Sequence, residues 1–545
     1  MKDGRRIDRI DDGEAGGASV RSAADNMRRG VRWLILLTGA LETVVFTGNI
    51  FGWAALNYML KRQGVYRHLC PPSNLTFDAN ATVSPESGCH EQDQMLNLAF
   101  TVGSFCTGFT AFVWGFLLDS WGLRTVRLLI NGLIASGTIM LSVTNPETSY
   151  LIFPGLTLMC LAGVPLRIAN MQIANLFPKQ RSTVISFYSG GFSASASVFA
   201  FLKYLLDAGV SWEWTWFVLV ACSAVMLPVT LFLLPPDRIG DDNKSKMFSG
   251  VAEVAVVSPV TFGKFSTLPK SPVYPRKNPE IDRYDASPAD PYPPQPPPGK
   301  GRVPLRKSLL SFSFLAHQYW FSWVLLYTVI YIGTLHLWIE RVTTDSRSAS
   351  GYTEIYGLVQ ITGLVLAPLG GAVMDFFVGR AAKEEDPLER RLKTARAAFF
   401  PMLITTLTEA AIHICRFFFA EAAIYASIAL ITLLRSSFVG VGTAYLRTRF
   451  PADHFNRLLG IMSTVAAFYT LLQFPFFVWE AESRTDSLYV NGVYCVLLAV
   501  ALVHPLLMTV TPLQRRLMEK ESARQGEGET GSEGGECRAR SCKLL

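Results

Sequence analysis

Charge is what this sequence has least of. Asp, Glu, Lys and Arg make up 17% of its 545 residues, where an ordinary soluble domain carries about 25%. Half of the residues are apolar, and the mean hydropathy is +0.27. A surface that poor in charge cannot all face water, which excludes a soluble enzyme. Cysteine is scarce as well, nine in all and with no C-x-x-C pair, so neither a disulfide-dense secreted scaffold nor a metal site is expected. The sequence has no G-x-x-x-x-G-K-[ST] loop, no H-E-x-x-H and no Ser/His/Asp set. Nucleotide-driven pumping and hydrolytic catalysis are therefore not expected, no cofactor is implied, and the chain does not read as an enzyme.

What the sequence has instead is apolar runs of helix length, about 20 residues being enough to cross a bilayer. Twelve are read, near 33–60, 95–118, 126–144, 150–173, 183–206, 213–234, 309–337, 353–377, 397–415, 421–446, 457–479 and 488–511. The first is too long for a signal peptide and follows a polar stretch over 1–32. The fold class is an all-α polytopic membrane protein of twelve transmembrane helices. With both termini inside, 40 of the 50 Lys and Arg fall in inner segments and 7 in outer loops, while Arg167, Lys203 and Arg435 lie within spans. That is the positive-inside pattern for a multi-pass protein with cytosolic termini. The net charge of +7 then records topology; the partner is the lipid bilayer, and no nucleic acid is needed to explain it.

Residues 235–308 break the pattern. They are polar and rich in Pro, ending Pro291-Tyr-Pro-Pro-Gln-Pro-Pro-Pro298, a composition that cannot bury a core and reads as a cytosolic linker. The organisation is a cytosolic tail (1–32), a six-helix bundle (33–234), the linker (235–308), a second six-helix bundle (309–511) and a cytosolic tail (512–545). The first outer loop carries Cys70 and Cys89, on the side where disulfides persist, and a bridge between them is expected. The same loop holds the glycosylation sequons at Asn74 and Asn80. An internal repeat supports the division into two pseudo-repeats. The second span ends Gly115-x-x-x-Asp119-x-x-Gly122-x-Arg124-x-x-Arg127, and the eighth ends Gly371-x-x-x-Asp375 followed by Arg380. Phe177-Pro178 and Phe450-Pro451 follow the fourth and tenth spans in the same order.

The first copy resembles the loop signature of the major facilitator superfamily. That resemblance implies a gate: a carboxylate at one helix end meets an Arg or a helix N-terminus of the other half and latches one access state. Gly115, Asp119, Gly122, Arg124, Arg127, Asp375 and Arg380 form the expected gating set. The alternative is that the charged members only anchor helix ends among lipid headgroups.

A charge inside a span needs a reason. Glu42 lies in the first span, Arg167 in the fourth and Arg435 in the tenth; Glu409 and His413 stand at i, i+4 in the ninth. In the facilitator architecture the first, fourth and tenth helices line the cavity and the ninth braces the outside. Glu42, Arg167 and Arg435 become substrate candidates, while Glu409 and His413 are expected to satisfy each other. Two Arg against one Glu suit an anionic group such as an α-carboxylate. Arg435 would hold it or pair with Glu42; Glu42 would receive an ammonium or titrate. Asn49, between Gly48 and Gly52 in mid-span, would mark a broken helix exposing backbone groups, and Tyr188 is a fifth candidate. The seventh span is aromatic (Tyr319, Trp320, Trp323, Tyr327, Tyr331), with much of that surface expected to face lipid.

Longer strings narrow the resemblance. Leu41-Glu42 followed by Phe51-Gly-Trp53, the stretch Cys89-His-Glu-Gln-Asp93, Asn175-Leu-Phe-Pro178, Val303-Pro-Leu-Arg-Lys-Ser308, Phe450-Pro-Ala-Asp-His-Phe455 and Leu472-Gln-Phe-Pro475 are similar to solute carrier family 43, over residues 33–511. The resemblance implies a facilitative carrier of large neutral amino acids, or of purine nucleobases as in one branch, with apicomplexan amino acid carriers among the relatives. Glu42 and Arg435 match positions the family shares; Arg167 departs from the apolar residue expected there. The reading is a sodium-independent, alternating-access transporter at the plasma membrane. Its small-molecule substrate would be an amino acid, large neutral or aromatic first and cationic second. Purine nucleobase transport is one alternative, and a non-transporting receptor or scaffold is another. The sequence specifies no accessory subunit.

Overall fold

The computed structural model of the chain describes residues 13–70, 89–177, 181–234, 305–343, 346–450 and 452–517. The sequons at Asn74 and Asn80 and residues 235–304 of the linker lie outside them, as do residues 1–12 and 518–545 of the tails. A first set of helices comprises α1 (Gly13–Phe46), α2 (Trp53–Arg62), α3 (His90–Phe109), α4 (Ala111–Ser142), α5 (Ile152–Met171), α6 (Arg181–Ala194), α7 (Ser197–Asp207) and α8 (Trp212–Pro228). A second set comprises α9 (Leu305–Leu309), α10 (Phe312–Val342), α11 (Ser346–Val359), α12 (Gly363–Ala381), α13 (Pro387–Arg396), α14 (Phe399–Arg416), α15 (Glu421–Arg449), α16 (Ala452–Thr470), α17 (Gln473–Glu482) and α18 (Arg484–Leu507). No strand occurs among the described residues.

Among the described residues ten helical stretches are long and apolar enough to cross a membrane, and an eleventh is a bent pair, Gly30–Phe46 with Asn49–Arg62, at 49°. The expected fifth span corresponds to α6 and α7. It is broken at Ser195–Ala196 and rich in Ser and Gly, which lowers its hydropathy, and it is not among those stretches. The outward faces carry large apolar side chains, including Leu37 (63% exposed), Phe116 (66%) and Val365 (72%). A soluble surface does not spread such residues over every helix; a lipid-facing one does.

Local chemistry sets the breaks. Gly122 sits at φ 78° inside α4, a left-handed conformation that an L-side chain resists, and it kinks the helix near the start of the stretch Ser120–Ser142. The Ser311 hydroxyl accepts from the Phe314 amide to start α10, and Ser483 accepts from Asp486 N to start α18, each satisfying one of the amides a helix start leaves unpaired. The Cys70–Cys89 disulfide is present and closes the loop before α3.

Most of the aromatic residues expected toward lipid on α10 face inward: Trp320, Tyr327 and Tyr331 are fully buried, Trp323 is 3% exposed and Tyr319 is half-buried. The reason is placement, since α10 packs on helices of both sets and is buried along most of its length. The sets also meet where α6 touches α12. A Cβ on Gly190 would stand 2.8 Å from the Gly363 carbonyl oxygen, so only glycine allows the backbones this close, as small residues do between membrane helices.

At the end of the molecule that carries the disulfide, polar side chains tie the two sets together. Lys61 Nζ lies 2.6 Å from Asp93 Oδ1 and 3.2 Å from Glu340 Oε1, which His336 Nε2 approaches at 2.9 Å. Lys203 bridges Asp207 in its own set to Glu354 and Ser350 in the other. Asn97 Nδ2 donates to Gly333 O (3.1 Å), and Gln473 Nε2 donates back to Asn97 Oδ1 (2.9 Å). Among the described residues, every ion pair between the sets lies at this end.

Candidate functional site

The first span breaks where the sequence places Gly48-Asn49. Thr43 and Thr47 hydroxyls bond back to the carbonyls of Gly39 (2.7 Å) and Thr43 (2.6 Å), competition that bends helices. One 3₁₀ turn, Asn49–Gly52, then redirects the chain into α2. The turn carries Phe51 to the junction of the two sets. Its ring meets the edge of Phe192, centroids 5.4 Å apart, and its carbonyl accepts from the Tyr356 hydroxyl of α11 at 2.9 Å.

Two guanidinium groups flank this aromatic pair. Arg435, from α15, stands 4.5 Å from the Phe51 centroid, and Arg167, from α5, stands 4.4 Å from that of Phe192. Arg435 is 6% exposed and donates through Nη1 to Gln360 Oε1 at 2.5 Å, while Gln360 Nε2 is held by Thr432 Oγ1 at 2.7 Å. Arg435 Nη2 and Arg167 Nε have no hydrogen-bond partner among the described residues. No carboxylate pairs with either arginine among those residues. The ring faces offset part of the cost of holding both cations here, and the remaining donors suit an incoming anion.

Glu42 does not join this group, nor does it pair with Arg435. Its Oε2 accepts from Arg127 Nη2 at 2.6 Å, both side chains being buried. Arg127 also donates to Asn170 and, through Nε, to Thr230 Oγ1 at 3.2 Å; Asn170 in turn donates to Gly39 O (3.0 Å) and Thr43 Oγ1 (3.1 Å). The result is a network inside the first set, joining α1, α4, α5 and the end of the sixth span. Arg127, grouped by its motif with the gate, is thus placed three helices deep.

The remaining candidates fall as follows. Tyr188 is fully buried, with its hydroxyl donating to Leu36 O at 3.3 Å against α1. Asn49 is 5% exposed, and neither amide atom has a partner among the described residues; it borders a void of ≈ 10 Å³ lined by Phe46, Leu156, Met159 and Phe199 within the first set, about room for one water. Arg124 donates to Leu234 O at 2.9 Å, Gly122 is the break in α4, and Arg380 is exposed at the end of α12. The side chains of Asp119 and Asp375 and the surroundings of Gly115 lie outside the described residues.

Glu409 and His413 do not satisfy each other. His413 Nδ1 turns to Asn491 Oδ1 at 3.0 Å, and both Glu409 oxygens lack a partner among the described residues. Phe51, Phe192, Tyr356 and Gln360 were not singled out from sequence. A buried amide such as Gln360 in an apolar span carries a signal; a phenylalanine among thirty-six carries none until its neighbours are known.

The model of the Major Facilitator Superfamily matches residues 43–472. Equilibrative nucleobase transporter 1 of Bos taurus is 29% identical over 497 residues, covering 90% of this chain and 97% of that one. Large neutral amino acids transporter small subunit 3 of Homo sapiens is 25% identical over 543 residues, covering 91% and 96%. These are the two kinds of carrier that the sequence resemblance implies. The fold is shared with a human organic anion transporter of known structure, at a TM-score of 0.51 and 12% identity, over 87% of this chain and 99% of that one. The chain belongs to the Major Facilitator Superfamily.

Proposed function

We propose that this protein is a sodium-independent facilitative carrier of amino acids, large neutral and aromatic ones first and cationic ones second. The observation that carries the reading is the pair of arginines, each without a carboxylate among the described residues, on the Phe51–Phe192 pair where the helix sets meet. Arg435, with Arg167, takes the α-carboxylate. With Glu42 committed to Arg127, the ammonium is left to backbone carbonyls near the break in the first span, as in other transporters built on discontinuous helices. The ring pair offers its edges to an apolar or aromatic side chain.

The carrier lies in the plasma membrane with both termini in the cytosol, which places the disulfide end outside. The polar contacts through Lys61, Lys203 and Asn97 then close the outer side, and alternating access opens them by rocking one helix set against the other. Gly115, Asp119, Gly122, Arg124, Asp375 and Arg380 latch the inner side in the opposite state. A second reading, purine nucleobase transport, is favoured by the higher identity to the bovine nucleobase transporter, and flat bases stack on the same rings. Uptake of labelled leucine, phenylalanine, arginine and adenine into oocytes separates the two. Saturable amino acid flux supports the proposal; adenine flux alone overturns it.

A further inference from the structure

Inside the second set, away from the arginines, lies a buried group of polar side chains that the carrier reading does not use. Glu409 of α14 is 0% exposed, and neither of its oxygens has a hydrogen-bond partner among the described residues. One turn on, His413 is 1% exposed. Its Nδ1 meets Asn491 Oδ1 at 3.0 Å, while Asn491 Nδ2 donates to the His413 carbonyl at 3.0 Å. Because the Asn491 oxygen only accepts, His413 Nδ1 carries the hydrogen, and a neutral ring then presents Nε2 as an acceptor. That Nε2 has no donor among the described residues. The ring of Tyr327 from α10 lies 3.8 Å from that of His413, and Tyr494 of α18 lies 5.8 Å from both. The two hydroxyls also lack partners among the described residues.

Among the described residues the surroundings offer Glu409 no cation. Arg416, two turns along its own helix, is taken by Glu480 and by Thr334 Oγ1 at 2.7 Å. On α15, Arg435 is turned to Gln360 and Tyr445 to the His317–His504 pair. From α10, Tyr319 and Tyr327 come within electrostatic reach of Glu409; Tyr319 donates to Leu497 O at 3.2 Å. From α18 Tyr494 approaches the His413 ring while His504 is turned to His317, and from α12 Arg380 sits exposed at the far end. An ionised carboxylate buried without a cation or a donor is costly, whereas a protonated one is neutral.

We propose that Glu409, one turn from His413 on α14, is a proton-binding site of this protein, separate from the substrate site. Proton binding there is coupled to the motion of α10 between the two access states. The coupling rests on the carrier reading; the proton site does not. The link is α10 itself, which carries Tyr327 against His413 and also the Gly333 and Glu340 contacts to the first set. When those contacts open, α10 shifts against α14 and the environment of the carboxyl changes.

Two experiments test this. In purified full-length protein, melting temperature is followed across pH for the wild type and Glu409→Gln, with no substrate needed. Unfolding releases the held proton, so wild-type stability should fall relative to the variant as pH rises. Parallel profiles overturn the site. In oocytes, uptake at saturating phenylalanine is measured from acid to alkaline pH under a clamped membrane potential. The wild-type rate should vary with a slope approaching one proton, at most about tenfold per pH unit, and Glu409→Gln should be flat. A flat wild type, or a variant with the wild-type profile, overturns the coupling. Should Glu409→Gln not reach the surface, His413→Leu removes the polar ring next along the helix instead and should displace the wild-type profile; an undisplaced profile counts against the proposal. If no substrate moves at all, the carrier reading fails while the melting experiment still decides the proton site.

Discussion

Removing Arg127 is the sharpest test of how the first set is held together. Its guanidinium meets Glu42 at 2.6 Å with both side chains buried, and it also binds Asn170 and Thr230. In Arg127→Met the Glu42 carboxylate stays in the bundle without its cation, and breaking one side of a buried pair costs about 3–5 kcal/mol. For a helix set of roughly 200 residues that corresponds to a fall in melting temperature of about 10 °C. The double variant Glu42→Gln/Arg127→Met removes both charges and should recover most of the loss, since replacing a whole buried pair is often close to neutral. The assay is detergent-solubilised melting by size-exclusion fluorescence, with surface abundance measured beside it. If Arg127→Met melts like the wild type but changes transport kinetics, Arg127 belongs to the gate after all and the structural assignment is wrong.

Two further outcomes follow from the contacts between the sets, and a third from the disulfide. Lys203→Ala severs the tie to Glu354 and Ser350 and should favour opening of the disulfide end by about 1–3 kcal/mol, a 5–150-fold shift, read as faster thiol labelling of Asn57→Cys in an otherwise cysteine-reduced background; unchanged labelling would show that Lys203 is not part of the closure. Gly190→Leu puts a side chain where a Cβ already stands 2.8 Å from Gly363 O, so maximal uptake should drop by about tenfold for an overpacking cost of 1–3 kcal/mol, with surface abundance kept; wild-type uptake would mean that this approach is not part of the cycle. Cys70→Ser opens the loop closed across 19 residues and should lower stability by about 3 kcal/mol, seen as earlier melting under non-reducing conditions, whereas an unchanged melting curve would leave the bridge without a stabilising role.

Much of the architecture was legible because a bilayer imposes length and composition on its helices. The disulfide followed from placing Cys70 and Cys89 together in an outer loop, and the break in the first span from Gly48 and Gly52 around Asn49. The fifth span was the exception in composition, and the buried face of α10 the exception in packing, since an aromatic run looks the same from sequence whether lipid or protein covers it. The site was legible only in its charges. Arg167 and Arg435 stood out as cations within spans, but which acid meets which base depends on helix rotation. Glu42 could have faced Arg435 or Arg127, and the hydrogen bonds that Arg127 donates to Asn170 and Thr230, which decide for it, end on other helices. Phe51 and Phe192 gain their meaning from the guanidinium groups above them.

The central claim is that Arg435 binds the carboxylate of an amino acid. Labelled phenylalanine uptake in oocytes, normalised to surface abundance, should be compared between the wild type, Arg435→Ala and Arg435→Lys. Losing a charge-assisted bond of about 1.5–3 kcal/mol predicts at least a tenfold loss of apparent affinity in Arg435→Lys and no measurable uptake in Arg435→Ala. Wild-type phenylalanine uptake by a well-expressed Arg435→Ala would contradict the account.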